Sequence, residues 1–94
     1  MYTLVRLSDG SCKRGELSFA MTLSKMGWAY EGDARPRVGV QMLVGATVER
    51  PGAVPSVRIT SRVVRILSDA PTAVEFETES GSVYLWSCDG GRPH

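Results

Sequence analysis

The distribution of hydrophobic and polar positions along this chain favours β-strands. Hydrophobic and polar residues alternate in residues 2–8, 16–23 and 73–87. Because successive side chains of a strand point to opposite faces of a sheet, this period of two is typical of strands with one buried face. Turn-forming residues separate the alternating segments, at Asp9-Gly10, 31–37, 51–55 and 68–72. We therefore predict five or six short antiparallel strands in a small barrel or rolled sheet.

One segment leaves a second interpretation open. Residues 17–23 alternate as a strand would, yet Phe19, Leu23 and Met26 also follow the i, i+4, i+7 spacing of a helix face. We therefore expect a mainly β fold, or an α+β fold with one short helix over 18–26.

Irregular positions predict bends within the strands. Gly39 and Gly45 interrupt an apolar, β-branched segment, and glycines inside strands often mark bulges or barrel corners. Residues 56–67 form a long predicted strand in which the alternation slips at Val63-Val64. An extra residue in one strand produces such a slip, so we expect a β-bulge there.

The closing segment 73–87 is predicted to form a hairpin, with Ser80-Gly81 as a two-residue turn. One face would be apolar and belong to the core, with Val74, Phe76, Thr78, Val83 and Leu85. The other face would be acidic and aromatic, with Glu75, Glu77, Glu79, Tyr84 and Trp86. Because a shift by one residue would bury three carboxylates, we expect this register to be strongly enforced.

The outward face of this hairpin is the preferred candidate for a partner-binding surface. Its members, with two arginines from strand 56–67, are Tyr84, Trp86, Glu75, Glu77, Arg62 and Arg65. Trp, Tyr and Arg are over-represented among interface anchors, and an exposed aromatic pair calls for a covering partner. We therefore expect a protein partner, most often a second copy in a homodimer. The alternative is a solvated ladder of cross-strand charges with two rings lying across it.

Length and composition describe a small globular chain. The 94 residues suffice for one domain, 43% of them are hydrophobic, and the net charge is +1. Global charge therefore does not favour nucleic acid or an acidic membrane as a partner. No segment approaches the ~20 apolar residues of a membrane span, and the N-terminus lacks the features of a secretory signal. We expect a cytoplasmic protein with a single β-rich domain over 1–88 and a disordered tail over 89–94.

Residues suited to catalysis or metal binding are scarce. The only histidine is His94, which excludes most catalytic triads and mixed zinc sites. Cys12 and Cys88 are too far apart in sequence for a zinc motif. We expect both to be reduced thiols, with a disulfide bridge between the two ends of the fold as the alternative. The glycines match no phosphate loop or dinucleotide fingerprint. We therefore expect no enzymatic activity, no metal and no cofactor.

Two other functions remain open. The residues that would contact the phosphates of a nucleic acid form two small basic spots, Lys13, Arg14, Arg35 and Arg37. Stacking platforms for bases need aromatic residues beside positive charge. This alternative is less favoured because the expected cross-strand neighbours of Tyr84 and Trp86 are glutamates, which repel phosphate. Trp28 and Tyr30 share parity, so they would either close one end of the core or line a small-ligand pocket.

The first hairpin resembles the first motif of Sm-like proteins. The segment VRLSDGSCKRGEL contains the hairpin turn at Asp9-Gly10, then Gly15 and then Leu17. The resemblance implies a bent five-stranded barrel, ring assembly and RNA binding. The Asp and Asn of that motif are absent from SFAMTLSKM, and no second motif with a basic-glycine signature follows. The resemblance thus supports a strongly bent small barrel.

Overall fold

The computed structural model describes residues 1–24, 26–32, 35–46 and 56–88, and these residues form two antiparallel β-sheets. The strands are β1 (Tyr2–Arg6), β2 (Cys12–Gly15), β3 (Leu17–Ser24), β4 (Gly27–Gly32), β5 (Gln41–Ala46), β6 (Ser56–Ile59), β7 (Val63–Ala70), β8 (Ala73–Thr78) and β9 (Val83–Cys88). The first sheet has the order β2-β1-β9-β8-β7 and the second has the order β4-β3-β5-β6. The mainly β prediction is confirmed, but the described residues form nine strands instead of the five or six predicted. The helix considered over 18–26 is wrong, because the alternating segment forms strand β3.

The described part of the chain holds no helix that is long and apolar enough to cross a membrane. The tail predicted over 89–94 and the loop predicted over 51–55 lie outside the described residues. β7 continues to Ala70, so the turn predicted over 68–72 shortens to the two residues before β8.

The chain passes from the first sheet to the second at a sharp corner. β2 ends at Gly15, and β3 begins two residues later at Leu17. Gly15 is buried against β5: a Cβ placed on it would overlap the carbonyl oxygen of Gly45 and lie 2.6 Å from the backbone nitrogen of Ala46. Only a glycine allows two backbones to approach this closely, so Gly15 permits the corner.

A second corner divides the strand predicted over 56–67. β6 pairs with β5 in the second sheet, whereas β7 pairs with β8 in the first. Between them, the Thr60 N–H donates a hydrogen bond to the Met42 carbonyl at 2.9 Å. The prediction of one continuous strand is therefore wrong, since the alternation runs through the corner without marking it. The predicted β-bulge is confirmed, because the register of β7 against β8 shifts between Val63 and Arg65.

The core lies between the sheets, where small residues of the second sheet face large residues of the first. On β3, Ser18 and Ala20 are each 1% exposed. They leave room for the indole of Trp86, whose Nε1 donates a hydrogen bond to the Ser18 hydroxyl at 3.0 Å. The Tyr2 ring stacks on the same indole, with the centroids 5.9 Å apart. The remaining buried members of this cluster are Leu4, Val40, Met42, Val44, Val63, Val74, Phe76 and Tyr84.

The two cysteines lie on opposite sides of β1. Cys12 pairs with Val5 and Cys88 pairs with Tyr2, so two strand spacings and three residues separate their Cα atoms, roughly 14 Å. A disulfide needs Cα atoms within about 7 Å of each other. The bridge between the two ends of the fold is therefore excluded, and both cysteines are free thiols.

Candidate interaction surface

The turn of the closing hairpin contains three residues instead of the predicted two. The Thr78 N–H donates to the Ser82 carbonyl at 2.9 Å, and the Gly81 N–H donates to the Thr78 carbonyl at 2.9 Å. Gly81 has a φ of +88°, the left-handed conformation that a glycine adopts at low cost. These features define a three-residue loop that ends in a glycine bulge.

The longer loop places Tyr84 and Trp86 in the core. Phe76 pairs with Tyr84 and Val74 pairs with Trp86, so all four side chains share the buried face. Tyr84 is 3% exposed and Trp86 is 2% exposed. The prediction that these rings face outward beside the glutamates is wrong, because the extra loop residue reverses the parity of β9 relative to β8. They are not available to anchor a partner on the outside of the molecule.

The charged members of the predicted surface do lie outside. Arg65 forms an ion pair with Glu77 across β7 and β8. The Arg62 guanidinium lies 3.8 Å from the Glu79 carboxylate. Glu75 is half-buried. The cross-strand charges of the alternative interpretation are therefore present, although the two rings do not lie across them. Exposed pairs of this kind contribute about 0–1 kcal/mol each, so these residues form a ladder of surface charges.

Among the described residues, the strand positions on the outer face of the second sheet carry no charged side chain. Leu23 lies opposite Trp28 and Met21 lies opposite Tyr30 in the β3–β4 ladder. Opposite residues of antiparallel strands present their side chains on the same face. We call this surface the aromatic face; its residues are Leu17, Phe19, Met21, Leu23, Trp28, Tyr30, Gln41, Leu43, Gly45, Val57 and Ile59.

Several large side chains of the aromatic face are strongly exposed. The exposed fractions are 67% for Leu23, 47% for Trp28, 59% for Tyr30 and 52% for Ile59. Phe19 packs edge-on against Tyr30, with the ring centroids 6.3 Å apart. Trp28 and Tyr30 share one face, as their parity predicts, but they do not close the core. Contiguous exposed apolar surface is typical of interaction sites.

A groove of about 190 Å³ runs beside the aromatic face. It is lined by Met21, Thr22, Leu23, Trp28, Gly39, Gln41 and Arg62. Ligand pockets usually measure about 300–1,000 Å³. The groove is therefore too small to favour the small-ligand interpretation, and Tyr30 does not line it.

The basic residues considered for nucleic acid do not form one patch. Lys13 lies opposite Leu4 and Arg14 lies opposite Thr3 in the β1–β2 ladder. Because neighbouring residues of a strand alternate, the two basic side chains point to opposite faces of the first sheet. Arg37 lies exposed in the segment that precedes β5.

Arg35 is engaged within the molecule. Its guanidinium donates hydrogen bonds to the carbonyls of Pro71 and Ala70, each at 2.6 Å, and forms an ion pair with Asp69. It also lies 5.7 Å from the centroid of the Trp86 ring. Arg35 therefore holds the β7–β8 turn and covers the core indole, a role that uses most of its donors.

The first hairpin holds two titratable groups with perturbed pKa values, Asp9 and Arg6. The Ser11 N–H donates to the Asp9 carboxylate at 2.9 Å, and this hydrogen bond lowers the pKa of Asp9 below its usual 3.8. Arg6 donates to the Tyr84 hydroxyl at 3.3 Å, which raises the pKa of Arg6. Both groups keep their charge at neutral pH, so neither is poised for proton transfer there. Within the described ranges, no three His, Cys, Asp or Glu residues lie together as metal ligands would.

Sequence reasoning identified Trp28 and Tyr30 but missed Leu23, which lies opposite Trp28, and Ile59, which lies on the same face at the other edge of the sheet. The available signal was the lack of charge at every second position on both sides of the β3–β4 turn. Comparisons with known protein families, with characterised proteins and with solved structures returned no match.

Proposed function

We propose that this protein is a non-catalytic binding module that acts through protein–protein contacts and self-associates through its aromatic face. The observation that carries the proposal is the exposure of Trp28, Tyr30, Leu23 and Ile59 on an uncharged sheet face. Trp and Tyr residues dominate the energetics of many interfaces, because their rings bury much area at a small cost in rotamer entropy.

A second copy of the chain is the partner that best matches this face. A surface without charge offers no complementarity to a charged partner, whereas it is complementary to itself. Four strands about 4.8 Å apart and about six residues long give the face an area of roughly 400 Å². This is about half of the ~800 Å² that each partner contributes to a standard interface. The proposed homodimer is therefore weak, with a dissociation constant in the micromolar range.

The alternatives have less support. Nucleic acid would require positive charge among the stacking rings, whereas the aromatic face carries none, and Lys13 and Arg14 point to opposite faces of the other sheet. A small ligand would require a deeper cavity than the groove beside Trp28.

Two finer features belong to the same proposal. The two sheets form an open, barrel-like roll, which is supported by the corners at Gly15 and between β6 and β7. The protein is cytoplasmic, which is supported by two thiols that lie too far apart to bridge, as is usual in a reducing compartment.

Sedimentation velocity over about 1–200 μM protein tests the proposal, because this range brackets a micromolar dissociation constant. The wild type should shift from monomer to dimer as its concentration rises. Trp28→Ala should raise the dissociation constant by at least about 30-fold, the effect of removing an interface anchor worth ~2 kcal/mol. Leu67→Ala is the matched control. Leu67 is 43% exposed, a fraction similar to the 47% of Trp28, but it lies on β7 of the other sheet. It should dimerise like the wild type.

Two outcomes would count against the proposal. A wild type that stays monomeric up to the highest concentration would refute self-association. A dimer that survives Trp28→Ala but is lost in Leu67→Ala would move the contact to the first sheet. Far-UV circular dichroism of each variant shows whether its fold is retained.

A further inference from the structure

The four strands at the edges of the two sheets differ in how well they are protected against pairing with another chain. Natural edges are protected by short length, by charged residues or by bulges. β2 is four residues long and contains Lys13 and Arg14, and β6 is four residues long and contains Arg58. β7 is long, but its register shifts at two places and it carries Arg65 and Asp69. Three of the four edges thus carry recognisable protection.

β4 is the least protected of the four edge strands. It runs over Gly27–Gly32 and pairs with β3 through six consecutive residues without a bulge. Its one charged residue is Glu31, next to its end, and its central residues Trp28, Ala29 and Tyr30 carry no charge. Among the described residues, no strand lies beside its other edge. A regular edge with an uncharged centre is a template for a further strand.

We propose that the dimer forms by antiparallel pairing of β4 with β4 of a second copy, around a two-fold axis at Ala29. This inference rests on the proposed self-association and specifies its geometry. With Ala29 opposite itself, Trp28 of each copy lies opposite Tyr30 of the other. Both aromatic residues are exposed on the same face of β4, so the axis produces two Trp–Tyr cross-strand pairs. Aromatic cross-strand pairs are among the favourable ones in antiparallel sheets.

Edge pairing does not depend on the small area of the aromatic face. It joins two four-stranded sheets into one of eight strands, and its affinity comes from backbone hydrogen bonds as well as from apolar contact at the seam. The aromatic face becomes continuous across the axis and remains exposed on one side of the joined sheet. A two-fold axis makes the contact self-limiting, since each copy has used its open β4 edge.

Charge placed at Ala29 tests this geometry. Ala29 is exposed and points away from Trp28 and Tyr30, so its substitution leaves the aromatic face unchanged. Ala29→Lys and Ala29→Glu should each raise the dimer dissociation constant at least about tenfold, because like charges would lie directly opposite at the axis. An equimolar mixture of the two variants should dimerise at least as well as the wild type. Ala29→Ser is the uncharged control and should behave like the wild type.

Ala29→Lys also separates this inference from self-association itself. Ala29 lies on β4 but points away from the aromatic face, so Ala29→Lys should disrupt an edge-paired dimer and spare a dimer that packs face to face. If Trp28→Ala dissociates the dimer while Ala29→Lys does not, edge pairing is overturned and the proposed function stands. If the Lys and Glu variants are both monomeric and their mixture remains so, the axis at Ala29 is overturned. If the wild type is monomeric, both proposals fail.

Discussion

Replacement of Trp86 by alanine should destabilise the fold far more than replacement of Trp28. Trp86 is 2% exposed, its indole donates a hydrogen bond to Ser18 at 3.0 Å, and Tyr2 stacks on it. Truncation of a buried tryptophan typically costs about 3–5 kcal/mol through lost burial and a residual cavity. The Ser18 hydroxyl would also lose its buried partner, which adds about 1 kcal/mol. We therefore expect a loss of about 4–6 kcal/mol.

This loss is large against the total stability of the chain. A protein of 94 residues has an unfolding free energy of about 5–14 kcal/mol. With a urea m-value of about 1.5 kcal/mol per molar, the unfolding midpoint of Trp86→Ala should fall by about 3 M, or the variant should be unfolded in buffer. Trp28 is 47% exposed, so Trp28→Ala should cost about 1 kcal/mol or less.

Urea unfolding followed by far-UV circular dichroism measures both variants without depending on the fluorescence of the remaining tryptophan. The protein concentration should lie well below the dimer dissociation constant, so that dissociation does not contribute to the apparent stability. Equal midpoints for the two variants would refute the assignment of Trp86 to the core. A stable Trp86→Ala protein would also revive the hairpin register in which this ring points outward.

Two further predictions concern the corner and the first hairpin. Gly15→Ala should lower the free energy of unfolding by about 3 kcal/mol or more, because its Cβ would overlap the Gly45 carbonyl and no rotamer relieves a backbone clash. Gly10→Ala has open space around its Cβ, so it should lower the free energy of unfolding by only about 1 kcal/mol, through its positive φ. Equal urea midpoints for the two variants would contradict this reasoning. Asp9 has a pKa below 3.8 in the folded state, so its carboxylate stabilises the fold above that pH and the contribution disappears as the pH falls through the folded pKa. The thermal stability difference between the wild type and Asp9→Ala should therefore be constant near neutrality and shrink below about pH 4, and a difference that stays constant down to about pH 2 would contradict it.

Local patterns were sufficient to predict much of the β-structure. Alternation predicted β3 over the competing helix, and the slip at Val63 predicted the bulge in β7. Position along the chain predicted that the arginine-bearing segment would lie beside the hairpin glutamates, and Arg65 pairs with Glu77 accordingly. These features depend on residues that are close in sequence or on adjacent strands.

The burial of Tyr84 and Trp86 could not be predicted in this way. Residues 83–86 are apolar at every position, so either parity of β9 presents a hydrophobic face to the core. The sizes of the inward-facing side chains on the opposite sheet decide between the two parities. Ser18 and Ala20 are small, and only large rings fill the space they leave. That information lies more than sixty residues away in sequence.

The candidate site was obscured for the same reason. Parity alone allowed Trp28 and Tyr30 either to close one end of the core or to line a pocket. Once the first sheet supplies the large core rings, Trp28 and Tyr30 are left on the surface with Leu23. The location of the aromatic face is thus a consequence of how residue sizes are divided between the two sheets.

The pairing of β1 with β9 has a consequence for synthesis on the ribosome. β3 and β4 are joined by a short turn and can pair as soon as they emerge, but β1 must wait for the last described strand before its ladder with β9 can form. Until then the Ser18 hydroxyl lacks the indole that covers it in the folded protein. The second sheet can therefore form before the first sheet is complete, and its inner face stays uncovered until β9 has been made.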